Sequence, residues 1–473
     1  MQEDRVPLCV DLDGTLIRSD LLVESALQLL QRNPFYLFLF AIWLLRGKAH
    51  LKCEIARRSD LDMANLPYDE RVLDWLRGEA ASRPRVLCTA SDQRLADALA
   101  AQVGGFEVVL ASDGVRNLSG RSKGDALLER YGERGFDYAG NEAADLHVWK
   151  HARRAIVVNA SNGLATAAAR VCEVERVFER PRAGLRVWLK ALRLHQWLKN
   201  LLVFLPLLAA HRVLETGGLL HAGIAFFAFG LCASGVYVLN DLLDLDADRR
   251  HPRKRKRPFA AGTLPLVHGL IAAPLLTLAG FGLAWFLSPL FAGVLLAYYV
   301  LTLAYSLRLK RIVMLDVVVL AALYTVRIVG GAAAVGGGLS FWLLAFSMFL
   351  FLSLAMLKRY TELIALQANG SGKASGRGYA VEDLPLIQSL GGSSGYLSVL
   401  VLALYINSTA SEALYRSPKV LWMLCPLLLY WISRVWVIAH RGNMHDDPVV
   451  FAVSDRVSQC ILLLCAIVAL GAI

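Results

Sequence analysis

The chain has 473 residues, 56% of them hydrophobic, and a mean hydropathy of +0.47, values that exclude an ordinary soluble protein and exceed what one domain holds. Its formal charge of +11 collects beside apolar segments in the second half, which suits anionic lipid headgroups and phosphorylated substrates; no nucleic-acid-binding motif accompanies it, so DNA and RNA are set aside as partners. The eight cysteines have no paired spacing, which argues against a zinc site and a disulfide framework.

Residues 1 to 182 read as a first domain, and the start lacks a basic segment followed by an apolar core, so this domain is expected in the cytoplasm. Residues 6 to 10 form a short apolar run with β-branched residues, a buried strand that ends in Asp11-Leu-Asp13-Gly-Thr15. In an open α/β sheet chemistry sits where strands end. Asp11 there can attack a phosphoryl group, and Asp13 can protonate the leaving group and later accept a proton from water. The string resembles the haloacid dehalogenase (HAD)-type phosphohydrolases. The resemblance implies a Rossmann-like α/β fold with a helical cap, here at about residues 20 to 80. It also implies that Thr89 holds a phosphoryl oxygen, that Lys123 neutralises the phosphoryl group, and that Mg²⁺ binds Asp11, the Asp13 carbonyl, Asn141 and Asp145. Asn141 stands where the family carries an aspartate.

Within the cap, residues 33 to 45 are apolar and aromatic but too short to span a bilayer, which needs ~20 residues. They fit an interfacial helix, a helix packed on the second domain, or a buried cap helix. Residues 155 to 159 read as a late strand, and the polar stretch 174 to 184 as the linker.

Residues 183 to 473 contain nine apolar segments, near 200–212, 217–240, 264–287, 289–306, 312–335, 340–366, 396–413, 418–439 and 449–473. Lys/Arg clusters at 186–199, 249–257, 308–311, 358–377 and 434–441 fall on alternate loops. The positive-inside rule then places those loops in the cytoplasm, in a multi-pass protein of the inner membrane, with the C-terminus outside.

The second segment runs into Asn240-Asp241-Leu-Leu-Asp244-Leu-Asp246-Ala-Asp248 and a basic run from Arg249 to Arg257. On a continuous helix Asp241, Asp244 and Asp248 share one face, where three carboxylates repel unless a cation such as Mg²⁺ sits among them. Asp246 points elsewhere. The basic run holds phosphate oxygens or anchors the loop to the cytoplasmic surface.

This string, its helix and its basic flank resemble the first aspartate-rich motif of the UbiA superfamily of membrane prenyltransferases, which implies an all-α bundle of about nine transmembrane helices. The second acidic motif usual in that family is broken, because Leu320 follows Asp316 where an acid is expected. Arg327 lies on the face of Asp316 instead, and a buried arginine suits phosphate. Together with Arg193-x-His195-Gln196-Trp197-x-Lys199-Asn200, the run from Asp248 to Gly262, and Lys358-Arg359-Tyr360-x-Glu362, these residues resemble decaprenyl-phosphate phosphoribosyltransferases.

That branch implies phosphoribosyl diphosphate and a polyprenyl phosphate as substrates. Asp241, Asp244 and Asp248 would hold Mg²⁺ and diphosphate, with Asn240 orienting them. Arg257, Lys199, Lys310, Arg327, Lys358 and Arg359 are the candidates for the phosphates. Lys199, Lys310 and Lys358 also lie at helix ends, where snorkelling alone accounts for them. The Gly/Ser-rich residues 369 to 378 form a flexible loop that either closes over the site, bringing in Arg377 and Tyr379, or serves as a plain linker.

The combined expectation is a HAD-like phosphatase fused to a UbiA-like membrane transferase. The transferase moves 5-phosphoribose onto the lipid phosphate, and the first domain removes the 5-phosphate. The alternative is a prenyl transfer of the family's usual kind, with a regulatory first domain. The bilayer is a partner on either reading, and a homo-oligomer stays open.

Overall fold

Leu8, Cys9 and Val10 are wholly buried, as a parallel strand covered on both faces requires. They form β1, paired in parallel with β2 (Arg85–Asp92) on one side and β4 (Asp137–Gly140) on the other. With β3 (Val108–Ser112), β5 (Arg154–Val158) and β6 (Glu173–Phe178) they make a six-stranded parallel sheet in the order β3-β2-β1-β4-β5-β6. Leu8 and Val10 enter one apolar cluster and Cys9 the opposite one, because side chains alternate along a strand. The computed structural model describes residues 6–78, 80–160, 162–181, 184–212, 215–368, 378–444 and 447–473.

Two compact units make up the chain, Met1–Leu192 with Tyr237–Ala273, and Arg193–Val236 with Pro274–Ile473. In the first, α1 (Leu21–Arg32) starts at Asp20, whose carboxylate accepts from the Val23 amide at 2.9 Å, a standard N-terminal cap. Next come α2 (Tyr36–Leu45) and α3 (Lys48–Ala56). Tyr36, Phe40 and Trp43, spaced along one face of α2, pack with Leu29 and Ile55, while Leu37, Phe38, Ile42 and Leu45 stay exposed. Residues expected as linker form β6 instead; its alternately exposed pattern marks a sheet edge, which is why its charges resemble a linker in sequence.

The expected fold class needs correction on two counts. The first unit is a six-stranded parallel α/β sheet, an arrangement that does not by itself define the HAD type. The membrane part, a UbiA-like helical domain, has seven helices long and apolar enough to span among the described residues, or eight if a bent pair is one span, instead of nine. The seven are Thr216–Leu243, Leu266–Trp285, Pro289–Leu307, Leu315–Val335, Phe341–Ala368, Val381–Ile406 and Pro418–His440.

The segment near 200–212 is broken into a 3₁₀ stretch, Leu194–Phe204, and a short α-helix, Leu205–Ala209. The last segment bends by 78° between Pro448–Ser454 and Arg456–Ala472. Hydropathy counts apolar length and is blind to such breaks. Seven crossings keep the C-terminus on the outward side expected from the loop charges, and eight would reverse it.

Candidate functional site

At the C-terminal end of β1 the chain turns at Gly14, with φ at +76°. The positive φ favours glycine, and a Cβ there would lie 2.1 Å from the Asn141 side-chain nitrogen and push that side chain aside. The turn sets Asp11 and Asp13 against the ends of β2 and β4. Lys123, itself buried, donates to Asp11 Oδ1 at 2.7 Å and to the Tyr138 hydroxyl at 2.8 Å. Asp13 accepts from Ser91 Oγ at 2.6 Å and from the Leu21 amide at 2.8 Å. Thr89 Oγ1 accepts from the Ser91 amide at 3.1 Å.

Burial lifts the Asp11 carboxyl to about 6 although Lys123 opposes it, and burial, with the charges of Asp20 and Asp11, lifts Asp13 to about 8. Burial works against the Lys123 charge, but Asp11 and Asp145 hold it above the ordinary lysine range. Near neutral pH this pairs an ionised carboxylate with a protonated one, as a nucleophile and a general acid require.

Asp145 is committed to the fold: Oδ2 accepts from the Asn141 and Glu142 amides, each at 2.9 Å, and Oδ1 from Tyr138 at 3.0 Å. Asn141 Oδ1 accepts from Thr15 at 3.2 Å. Among the described residues no group of three His, Cys, Asp or Glu side chains is gathered for a metal. The donors expected for Mg²⁺ here, Asp11, the Asp13 carbonyl, the Asn141 amide oxygen and Asp145, are all hard oxygens that fit it, and Asp145 is the one most engaged by the backbone.

The second acidic cluster lies in the hairpin Tyr237–Ala273 of the same unit. The long helix stops at Leu243, Asp244 is the N-cap of a separate helix Leu245–Arg250, and the motif is therefore not one continuous face. Asp241 and Asp248, both buried, converge on one guanidinium nitrogen of Arg257 at 3.2 and 2.6 Å. Burial raises the Asp248 pKa, and Arg257 opposes the rise. Asp244 accepts from Gln31 at 3.2 Å and Asp246 from Gln28 at 2.8 Å. Asn240 precedes Asp241 on the last turns of the long helix. Two buried carboxylates sharing one cation fit Mg²⁺ by their donor chemistry.

In the second unit the expected phosphate ligands are held by protein partners. Arg327 donates to Asn200 at 2.9 Å, to the Leu323 carbonyl and to Tyr298 at 2.9 Å, and stacks on the Tyr298 ring. Arg359 donates to Asp316 at 2.5 Å, Glu362 at 2.7 Å and Tyr305 at 2.8 Å. Each guanidinium thus has all three nitrogens occupied. Lys310 lies in the turn Leu309–Arg311. Of the flexible segment, residues 369–377 lie outside the described residues; Tyr379 is buried and donates to Asp316 at 2.5 Å.

Sequence reasoning missed Asp447. Its Oδ2 lies 2.5 Å from Lys199 Nζ and 3.8 Å from Lys358 Nζ. Burial opposes its charge, yet the two lysines win and hold the carboxyl down at about 2. The available signal was Asp447-Pro448, a helix N-cap followed by proline at the first helical position.

A multi-pass helical domain preceded by acids at a span's end is the class of protein these features define. The sequence profile of the UbiA prenyltransferase family matches residues 201–454, and the chain belongs to that family. An uncharacterised protein y4nM of Sinorhizobium fredii is 38% identical over 457 residues, covering 96% of this chain and 88% of that one. Nodulation protein NoeC of Azorhizobium caulinodans is 38% identical over 58% of this chain and 89% of its own. Decaprenyl-phosphate phosphoribosyltransferase of Mycobacterium tuberculosis is 31% identical over 298 residues, 61% of this chain and 95% of that one.

Proposed function

We propose that this chain transfers 5-phosphoribose from phosphoribosyl diphosphate to a polyprenyl phosphate, and that its first unit then hydrolyses the 5-phosphate of the lipid-linked product. The observation that carries the transfer is the buried pair Asp241 and Asp248 closing on one cation, in a chain similar along 95% of the length of an enzyme named for that reaction. An oxygen of the lipid phosphate attacks the anomeric carbon, the bond from that carbon to the diphosphate oxygen breaks, and diphosphate leaves. No general base is needed, since the attacking phosphate is already anionic.

Asp241 and Asp248 would hold Mg²⁺, which when bound supplies charge neutralisation for the departing diphosphate. Arg257, displaced from the two acids, binds the same group electrostatically. Lys199 and Lys358, kept close together by Asp447, bind a substrate phosphate.

In the first unit an Asp11 oxygen attacks the phosphorus and the bond to the C5 oxygen breaks as Asp13 gives that oxygen its proton. Asp13 then takes a proton from the water that attacks the aspartyl phosphate, releasing inorganic phosphate. Lys123 neutralises the transferring group. The basic loops and the first unit lie on the cytoplasmic side of the inner membrane.

Protein in lipid nanodiscs, given polyprenyl phosphate, labelled phosphoribosyl diphosphate and Mg²⁺, forms labelled lipid. Absence of that product, with turnover of an isoprenyl diphosphate instead, would assign the chain to the prenyl transfer after which its family is named. Asp11→Asn accumulates the 5-phosphorylated lipid, with hydrolysis falling by about a thousandfold or more, as expected when a nucleophile is removed; unchanged release of phosphate would remove the hydrolytic role.

A further inference from the structure

Helix α2, Tyr36–Leu45, is apolar on every face, and the fold covers only one of them. Tyr36, Phe40 and Trp43 share a cluster with Leu29 of α1 and Ile55 of α3. Phe35, Phe38, Ile42 and Leu45 recur at spacings of three and four along the other side and are 51% to 88% exposed. Leu37 and Leu44 widen that stripe. A helix that is apolar all round needs apolar surroundings on every side, and a continuous exposed apolar patch marks a contact surface.

The place of the stripe is fixed by α1. Val23 and Leu27 of α1 pack with Val238 and Leu242, from the last turns of the long apolar helix Thr216–Leu243. In the last turn of α1 the Gln31 side chain donates to Asp244, the residue directly after that helix ends. Three residues, 33 to 35, separate α1 from α2, and so short a link reaches at most ~10 Å. Helix α2 therefore starts beside the point where a membrane-spanning helix leaves the bilayer.

Charge selects what covers the stripe. No acid stands between Glu24 and Glu54, whereas Arg32 before α2 and Arg46 and Lys48 after it are all exposed. Cations at both ends disfavour a second copy of this chain, since two such helices bring like charges together in either orientation. An anionic leaflet suits both features, with the apolar stripe below its headgroups and the cations among them. The ten residues of α2 are too few to cross it, as a spanning helix needs ~20.

We propose that α2 lies in the plane of the bilayer surface, with Phe35, Phe38, Ile42 and Leu45 among the acyl chains and Arg46 and Lys48 on anionic headgroups. The first unit then holds the membrane at two places, through the hairpin Tyr237–Ala273 and through α2. This contact is independent of the reaction that the unit performs.

The test uses the full chain in nanodiscs of phosphatidylcholine and phosphatidylglycerol, with p-benzoylphenylalanine as a light-activated crosslinker. Phe38→p-benzoylphenylalanine places the crosslinker on the exposed stripe, away from the packed face of α2. Glu107→p-benzoylphenylalanine places it on an exposed residue just before β3, at the end of the sheet remote from Asp13 and α1. Mass spectrometry is expected to find lipid adducts at position 38 about tenfold or more above those at position 107, as insertion of one site and not the other requires. Crosslinks from position 38 to a second copy, or to residues 193–473 of the same chain, overturn the proposal, as do equal lipid yields at both positions, whether high or nil. With Arg46→Gln and Lys48→Gln together, the ratio of phosphatidylglycerol to phosphatidylcholine adducts at position 38 falls about fivefold; an unchanged ratio overturns the part assigned to the two cations.

Discussion

Asp447 shows how a single carboxylate organises charge that sequence leaves scattered. Its pKa is depressed, from the ordinary value near ~3.9 to about 2, so its contribution to stability is complete above pH ~4 and is lost as pH falls through about 2. Thermal unfolding in detergent across pH 2 to 6 is expected to show that acid limb, and Asp447→Asn to shrink it while raising KM for a phosphorylated substrate, the part that remains coming from other depressed carboxyls such as Asp69. Arg359 makes the opposite case. Its guanidinium is wholly engaged by Asp316, Glu362 and Tyr305, so Arg359→Ala leaves the buried Asp316 with the Tyr379 hydroxyl but without its cation and destabilises by about 3–5 kcal/mol. A variant as stable as the parent with a raised KM would instead make Arg359 a substrate ligand.

Asp11 and Asp13 were legible because their motif is contiguous. Asp447 was not, because its partner Lys199 lies 248 positions away. A buried arginine in an apolar helix reads as a ligand until its partners on other helices are known, as Arg327 illustrates.

Elements carry the next level of information, and α1 carries most of it. Glu24 on α1 makes a two-pronged ion pair with Arg249 at 2.6 and 2.7 Å, both side chains almost fully buried. Replacing one partner leaves the other charge stranded, so Glu24→Gln is expected to lower unfolding stability by about 3–5 kcal/mol in a denaturant series. The double change Glu24→Leu with Arg249→Met should recover much of that loss; additive losses would show that the pair itself is not the source.

At this scale the sequence pattern was right about composition and wrong about continuity. Asp241, Asp244 and Asp248 fit one helical face by spacing, yet the helix ends at Leu243 and Asp244 turns to Gln31. The apolar run near residue 200 satisfies hydropathy, yet folds as a 3₁₀ stretch and a short helix. Periodicity reports which residues prefer to be buried, while tertiary partners decide where an axis breaks.

For the whole molecule, the boundary read near residue 182 and the packing differ in kind. Val23 and Leu27 of α1 share one apolar cluster with Leu242, Phe259 and Leu264 of the hairpin. A fragment of residues 183–473 exposes that cluster and strands Arg249, so it is expected to aggregate on size-exclusion chromatography in detergent where the full chain elutes as a single species. A monodisperse fragment would mean the hairpin is self-sufficient. The full-length match to the Sinorhizobium fredii protein, over 96% of this chain, spans both parts.

One consequence of α1 concerns travel. The Leu21 amide holds Asp13 at its first turn and Gln31 holds Asp244 at its last, so twelve residues of helix, roughly 18 Å at 1.5 Å per residue, act as a fixed ruler from one set of acids to the other. If, as proposed, a lipid-linked sugar is made at one end and trimmed at the other, this helix fixes the gap that it has to cross, and sideways drift of its greasy tail is the means that a bilayer offers.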